Sequence, residues 1–357
     1  MLEKLTNIGL VLLGLFIALA MTALHMVRLL IQIVKNPRGF LYVKDRPTPP
    51  KVLTSGWNHS SVAVAPDVKL HYVVDGDARR PLMLFLHGFP EFWYSWRNQM
   101  KEFKNDYRVV AIDLRGYGES DKPEKVTDYK IDNLVQDVKE VVKQLAYDRC
   151  TLVAHDWGGV IGWQVAVRYP ELVDKLIICN CPHPKAFRKT LRTSLTQMAK
   201  SWYMVFFQCP KLPEMMLRAF DLGALEQMCT DPSAGGCKNP EAFTKDDIEA
   251  FKYTFSKPGA FTPPINYYRA AFFSNRLRSG NLGLPTEQKT VLKVQPPVLI
   301  IWGTDDVALS TEMAQMSADQ CECATVRYVD GSSHWVQNDN PVAVNRYMWE
   351  FLKGHTQ

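Results

Sequence analysis

Thr151-Leu152-Val153-Ala154-His155-Asp156-Trp157-Gly158-Gly159 decides how this chain is read. An apolar, β-type run ends in a Gly-rich turn, and a helical pattern from Val160 to Tyr169 follows. The layout is that of a nucleophile elbow, small-x-nucleophile-x-small, in which a strained strand-to-helix turn exposes one reactive side chain. Asp156 holds the reactive seat, where Ser or Cys is the commoner occupant. A carboxylate in that position attacks carbon by displacement and leaves an alkyl ester, so the residue type itself narrows the reaction class.

Around the elbow, short apolar runs predict strands at Leu82–Leu86, Arg108–Ile112, Thr151–Ala154, Lys175–Cys179, Val298–Trp302 and Thr325–Val329. Before them, Val62–Ala65 and Lys69–Val74 read as a hairpin with its turn at Pro66-Asp67. Helical patterns fall between the strands at Asn133–Leu145, Val160–Arg168 and Thr311–Ala318. Buried strands alternating with helices predict an α/β fold, a mostly parallel twisted sheet covered on both faces. Reactive groups gather at the carboxyl ends of such strands. From about Lys185 to Leu292 no β run appears; helical and aromatic segments such as Ser194–Phe207 and Lys245–Phe255 predict a helical cap over those ends. The expected organisation is a membrane helix at 1–34, a linker at 35–60, a core at 61–184 and 293–357, and a cap at 185–292.

The 357 residues suffice for one large domain or a domain with an inserted subdomain. A hydrophobic content of 46% permits a large core. The formal charge is +5 with both signs interleaved, which gives nucleic-acid binding no support. The spacing of the eight cysteines fits neither a zinc site nor a dense disulfide framework, so buried free thiols are expected. Cys229 and Cys237 flank a short loop and are the pair that an oxidising compartment would join.

Near the N-terminus, Ile8–Leu24 is uncharged and mostly apolar. Counted to Val27, the run reaches about 20 residues, roughly 30 Å as a helix and enough to span a hydrocarbon core. Ala18-Leu19-Ala20 resembles a signal cleavage site, but the apolar run continues past it, which favours an uncleaved single-pass anchor. Basic residues cluster after the span (Arg28, Lys35, Arg38, Lys44, Arg46, Lys51), and the positive-inside rule then puts the large domain in the cytoplasm, with the endoplasmic reticulum as the expected membrane. Asn58-His59-Ser60 is a glycosylation sequon that matters only for a lumenal domain.

Further motifs follow other strands. His87-Gly88-Phe89-Pro90 comes after Leu82–Leu86, and its expected role is an oxyanion hole built from the Phe89 N–H and that of Trp157. Asp306 closes Trp302-Gly303-Thr304-Asp305-Asp306, and His334 sits in Gly331-Ser332-Ser333-His334-Trp335 after the last strand. The chain order nucleophile, acid, base is that of an α/β-hydrolase triad. Asp305 is the rival acid, though the strand-Gly-x-x-Asp spacing favours Asp306; the other acid position, after Lys175–Cys179, holds Asn180 and reads as vacated.

On these motifs, together with Asp113-Leu114-Arg115-Gly116-Tyr117-Gly118, the chain resembles the epoxide hydrolases of the α/β-hydrolase fold, especially the membrane-anchored animal enzymes of the epoxide hydrolase 4 type. The resemblance covers roughly Leu70 to Leu352. It implies two lid tyrosines that donate hydrogen bonds to an epoxide oxygen. They fall on Tyr203, in Tyr203-Met204-Val205-Phe206-Phe207-Gln208, and Tyr268, in Asn266-Tyr267-Tyr268-Arg269, with Tyr267 the nearest alternative. The implied reaction turns a lipophilic epoxide, a fatty-acid epoxide among the candidates, into a vicinal diol through an ester on Asp156. Water activated by His334 and Asp306 then hydrolyses that ester, with no metal or organic cofactor. His87, Pro90, Trp157 and Trp335 are expected to line the substrate pocket, whereas His155 and Glu91 are expected to support the elbow and a loop. A haloalkane dehalogenase shares the Asp-His-Asp logic but needs halide donors in place of paired tyrosines. A non-catalytic binder of hydrophobic ligands would be expected to lack triad members.

Overall fold

The computed structural model of the chain describes residues 2–279 and 293–354. Eight strands form one sheet in the order β1-β2-β4-β3-β5-β6-β7-β8. They are β1 (Asn58–Ala65), β2 (Val68–Asp75), β3 (Leu82–Leu86), β4 (Arg108–Ile112), β5 (Cys150–His155), β6 (Val173–Cys179), β7 (Val298–Gly303) and β8 (Ala324–Val329). β1–β2 and β2–β4 pair antiparallel, and every pair from β4 to β8 is parallel. All residues of β3, β5 and β7 are buried, which is why these strands read as unbroken apolar runs and not as alternation. β1 alternates only at its end and otherwise faces solvent.

Helices cover both faces. In chain order the ones used below are α1 (Leu2–Lys35), α2 (Ile131–Gln144), α3 (Asp156–Arg168), α4 (Pro184–Thr193), α5 (Leu195–Lys200), α6 (Trp202–Phe206), α7 (Leu212–Thr230), α8 (Lys245–Ser256) and α9 (Thr262–Ser279). α2 shows how sequence spacing sets the packing: Leu134, Val135, Val138, Val141 and Val142 share one face and are buried against the sheet. Between β6 and β7 the described residues hold helices and no strand, and α6 and α9 lie over the carboxyl ends of the strands, where Tyr203 meets Tyr268 and Tyr268 meets Phe89 and Trp157. The expected end of the cap at Leu292 falls outside the described residues.

One feature departs from the sequence reading. The segment after α1 is not a free tether. Arg46 chelates Asp221 through two hydrogen bonds of 2.7 and 2.8 Å and reaches Glu249 of α8 at 2.9 Å. The Asp221 N–H donates to Tyr42 O (2.9 Å), and the Lys44 N–H donates to Asp221 Oδ1 (2.9 Å). These contacts hold α7 at a break where Phe220, Asp221 and Leu222 all have positive φ (55°, 56° and 61°), a run that L-residues avoid at roughly 1–2 kcal/mol each. Among the cysteines, the candidate pair holds to the buried-thiol reading. Cys229 and Cys237 are both free thiols, buried side by side and joined by a backbone bond from Cys237 N to Cys229 O.

Candidate active site

Five strand ends converge on one polar cluster. The elbow between β5 and α3 places Asp156 at φ +47°, a strained left-handed conformation for a non-glycine residue. The neighbouring glycines permit it. A Cβ on Gly158 would lie 2.3 Å from Leu86 O, and one on Gly159 would lie 2.5 Å from Cys181 Cβ, so α3 approaches β3 and the β6 loop only without side chains there. Asp156 opens α3, where the helix dipole favours a carboxylate.

The Asp156 carboxylate is held between two partners. Its Oδ1 accepts the Phe89 N–H at 2.8 Å, and its Oδ2 lies 3.7 Å from His334 Nε2. Burial pushes this carboxyl up, but the His334 cation and the Phe89 N–H outweigh it and hold the group below the usual aspartate range. On the far side of the imidazole, His334 Nδ1 meets Asp306 Oδ2 at 2.8 Å. Burial opposes a charge on His334, yet the flanking Asp306 and Asp156 carboxylates prevail and raise it from 6.5 to about 10. Asp306 is buried and saturated: Asn180 Nδ2 donates to Oδ2 at 2.7 Å, and the N–H groups of Ala308 and Leu309 donate to Oδ1 at 2.7 and 2.8 Å. Its rival Asp305 is exposed and pairs with Lys238 at 3.6 Å, away from the histidine.

Asn180 is the residue that sequence reasoning set aside. It has positive φ (40°), accepts the Gly303 N–H at 3.0 Å and donates to Asp306, so it ties β6 to β7 and fixes the acid. Its position at the end of a central strand was the only signal available. A second buried layer lies behind the triad. Glu91 Oε2 accepts the Gly88 N–H (2.8 Å) and meets His155 Nδ1 (2.6 Å), while Gln337 donates to Oε1 (3.0 Å). His155 Nε2 donates to the backbone carbonyl of His334 at 3.0 Å. This network joins the Phe89 loop, the elbow and the histidine loop into one frame.

Tyr203 on α6 and Tyr268 on α9 are brought together above the elbow, their rings edge to face at 5.8 Å. Tyr268 also stands edge-on to Trp157 (5.0 Å), Phe89 (5.4 Å) and Phe207 (4.9 Å). Burial and the Asp156 charge raise both phenols above the ordinary tyrosine range, so they remain O–H donors. Tyr267 points elsewhere: its hydroxyl donates to Arg115 O at 2.7 Å in a fully buried setting.

The pocket residues divide. Trp335 is buried with its ring 5.5 Å from His334, and its Nε1 donates to Gly235 O (3.2 Å). Pro90 is buried next to Phe89 in the same loop, and Trp157 is partly exposed beside Tyr268. His87 does not fit a substrate-lining role. Its ring is wholly buried, with Nε2 accepting the Leu114 N–H (3.0 Å) and Nδ1 donating to Gly88 O (2.9 Å), so both nitrogens are spent on shaping the loop.

The family described as alpha/beta hydrolase fold matches residues 81–341. Epoxide hydrolase 1 of Caenorhabditis elegans is 47% identical over 313 residues, which cover 87% of this chain and 74% of that protein. Epoxide hydrolase 4 of Mus musculus is 40% identical over 339 residues, 94% of this chain and 91% of that protein. This chain belongs to the α/β-hydrolase-fold epoxide hydrolases. A crystal structure of the Bacillus megaterium epoxide hydrolase in complex with an inhibitor agrees, with a TM-score of 0.73 and 38% identity over 82% of this chain and 100% of that one. Among the described residues of this epoxide hydrolase, one helix is long and apolar enough to cross a membrane, Phe16–Lys35 within α1.

Proposed function

We propose that this epoxide hydrolase converts lipophilic epoxides, fatty-acid epoxides among them, to vicinal diols through an ester on Asp156. The reading is carried by one juxtaposition: a carboxylate facing a histidine held by a second carboxylate, beneath two phenols. Asp156 attacks a ring carbon from the side opposite Tyr203 and Tyr268. The C–O bond breaks, its electron pair goes to oxygen, and one phenol supplies the proton. Burial keeps both phenols protonated until that moment.

Forming the ester removes the charge on Asp156 and so weakens the hold on the His334 proton, which passes through solvent to the phenolate that ring opening leaves. The freed imidazole, oriented by Asp306, takes a proton from water, and the hydroxide attacks the ester carbonyl. The N–H groups of Phe89 and Trp157 stabilise the tetrahedral oxyanion; the Phe89 N–H already lies 2.8 Å from Asp156 Oδ1. Collapse releases the diol, and the water oxygen stays in the Asp156 carboxylate. Trp157, Trp335 and Pro90 give the pocket its apolar wall. The enzyme resides in the endoplasmic reticulum membrane with its hydrolase domain on the cytoplasmic side, a placement supported by α1 and the basic residues that follow it.

Intact-protein mass spectrometry after exposure to an epoxide panel tests the chemistry. Asp156→Ala abolishes diol formation and takes up no adduct, and His334→Gln accumulates a covalent adduct on Asp156. Steady-state turnover by Asp156→Ala at the wild-type rate rejects the mechanism.

A further inference from the structure

We propose that the first half of the cap docks on an anionic phospholipid bilayer, with α1 lying in the interface as the apolar part of the same docking face, in place of the membrane-crossing anchor that its length alone suggests. Charges interleave over the chain as a whole but not here. From Leu176 to Pro213 there is no Asp or Glu, whereas Lys185, Arg188, Lys189, Arg192, Lys200 and Lys211 are all basic. Four of them lie on the ten-residue α4, where Lys189 and Arg192 are exposed. The N-terminal segment shares this bias, with no acid between Glu3 and Asp45.

α1 packs along this part of the cap instead of standing clear of it. One stripe of α1 faces inward. A Cβ on Gly14 would lie 2.2 Å from Met198 Sδ of α5; His25 stacks on Trp202 of α6 at 4.0 Å; Leu29 is buried with Ala219 of α7. The Arg46 clamp to Asp221 and Glu249 then fixes the linker that follows α1 to α7 and α8. α1 and the cap are therefore one body.

Among the described residues, the other side of α1 is an apolar ladder open to solvent: Phe16, Leu19, Val27, Leu30 and Val34 are 68%, 52%, 52%, 57% and 81% exposed. Leu195 on α5 and Met215 on α7 are exposed as well, at 40% and 48%. An apolar ladder beside an acid-free basic helix is the composition that an interfacial element needs: acyl chains take the ladder, and anionic headgroups take the lysines and arginines. Seating the face this way puts Trp202, which precedes Tyr203, at the seam between anchor and cap.

Hydrogen exchange tests the docking independently of catalysis. Full-length protein is reconstituted in phosphatidylcholine nanodiscs and in nanodiscs with about 30% phosphatidylserine. Amides of 185–200 are expected to exchange about fivefold slower in the anionic discs, with high salt reversing the effect and the core strands unchanged. In the triple variant Lys185→Gln, Lys189→Gln, Arg192→Gln the difference between lipids disappears while circular dichroism and melting temperature stay at wild type. Equal exchange of 185–200 in anionic discs, neutral discs and detergent micelles overturns the proposal. So does slowing that survives the triple substitution, or slowing that requires an added protein.

Discussion

Replacing Asp156 by Asn removes the charge that epoxide attack would neutralise while keeping the side chain's shape, so it isolates what that charge does to His334. In the resting protein the imidazole lies between Asp306 at 2.8 Å and Asp156 at 3.7 Å, and its titration is raised to about 10. At 3.7 Å, a charge pair in an effective dielectric of about 20 is worth roughly 4.5 kcal/mol, equivalent to about 3 pH units of titration midpoint. Asp156→Asn is therefore expected to lower the His334 midpoint by about that much, to near neutrality. Nitrogen-15 NMR of the imidazoles reads this directly, with His334→Gln identifying the resonance among eight histidines. Intact mass confirms that the amide persists, because the same activated water can hydrolyse it. In single-turnover experiments on the wild type, ester hydrolysis should quicken as pH rises through the lowered midpoint. A His334 midpoint that moves by less than about one pH unit in Asp156→Asn would refute the reasoning. Asp306 alone would then hold the proton, and alkylation could not release the base.

Four other outcomes follow from the same geometry. Tyr203→Phe and Tyr268→Phe should each lower kcat by about 100-fold with little loss of stability. Tyr267→Phe leaves Arg115 O without its buried partner, so it should cost roughly 1–3 kcal/mol in denaturant titrations and leave kcat within about twofold. Because folding raises the His334 pKa from 6.5 to about 10, the stability this group adds is fully present below pH 6.5 and is lost as pH climbs through about 10. Urea midpoints should therefore fall across that window, and His334→Gln should flatten the decline. Glu91→Ala strips His155 and Gly88 of a buried partner and should destabilise the fold by about 3–5 kcal/mol, with a circular-dichroism melt as the check.

The amino-acid sequence by itself determined the strands, the elbow and the motifs of the candidate triad, because each is a local signal. β3, β5 and β7 are buried on both faces and so read as apolar runs, while Gly158 and Gly159 mark the turn that admits Asp156. Motifs at strand ends converge because a parallel sheet aligns those ends, so Asp306 and His334 could be named without coordinates. Tertiary structure alone decided which neighbours serve the chemistry and which serve the frame. Tyr268 and Tyr267 are adjacent in sequence and share a residue type, yet helical rotation turns one toward Tyr203 and the other onto the carbonyl of Arg115. His87 follows a strand as a pocket residue would, but both of its nitrogens are occupied by backbone groups. Asn180 reads as a vacated acid position and instead bonds to Asp306. The bond from Arg46 to Asp221 joins residues 175 positions apart. Hydrophobic period and turn chemistry report the surroundings of a few consecutive residues, whereas a side chain's partner is set by long-range packing that no local pattern encodes.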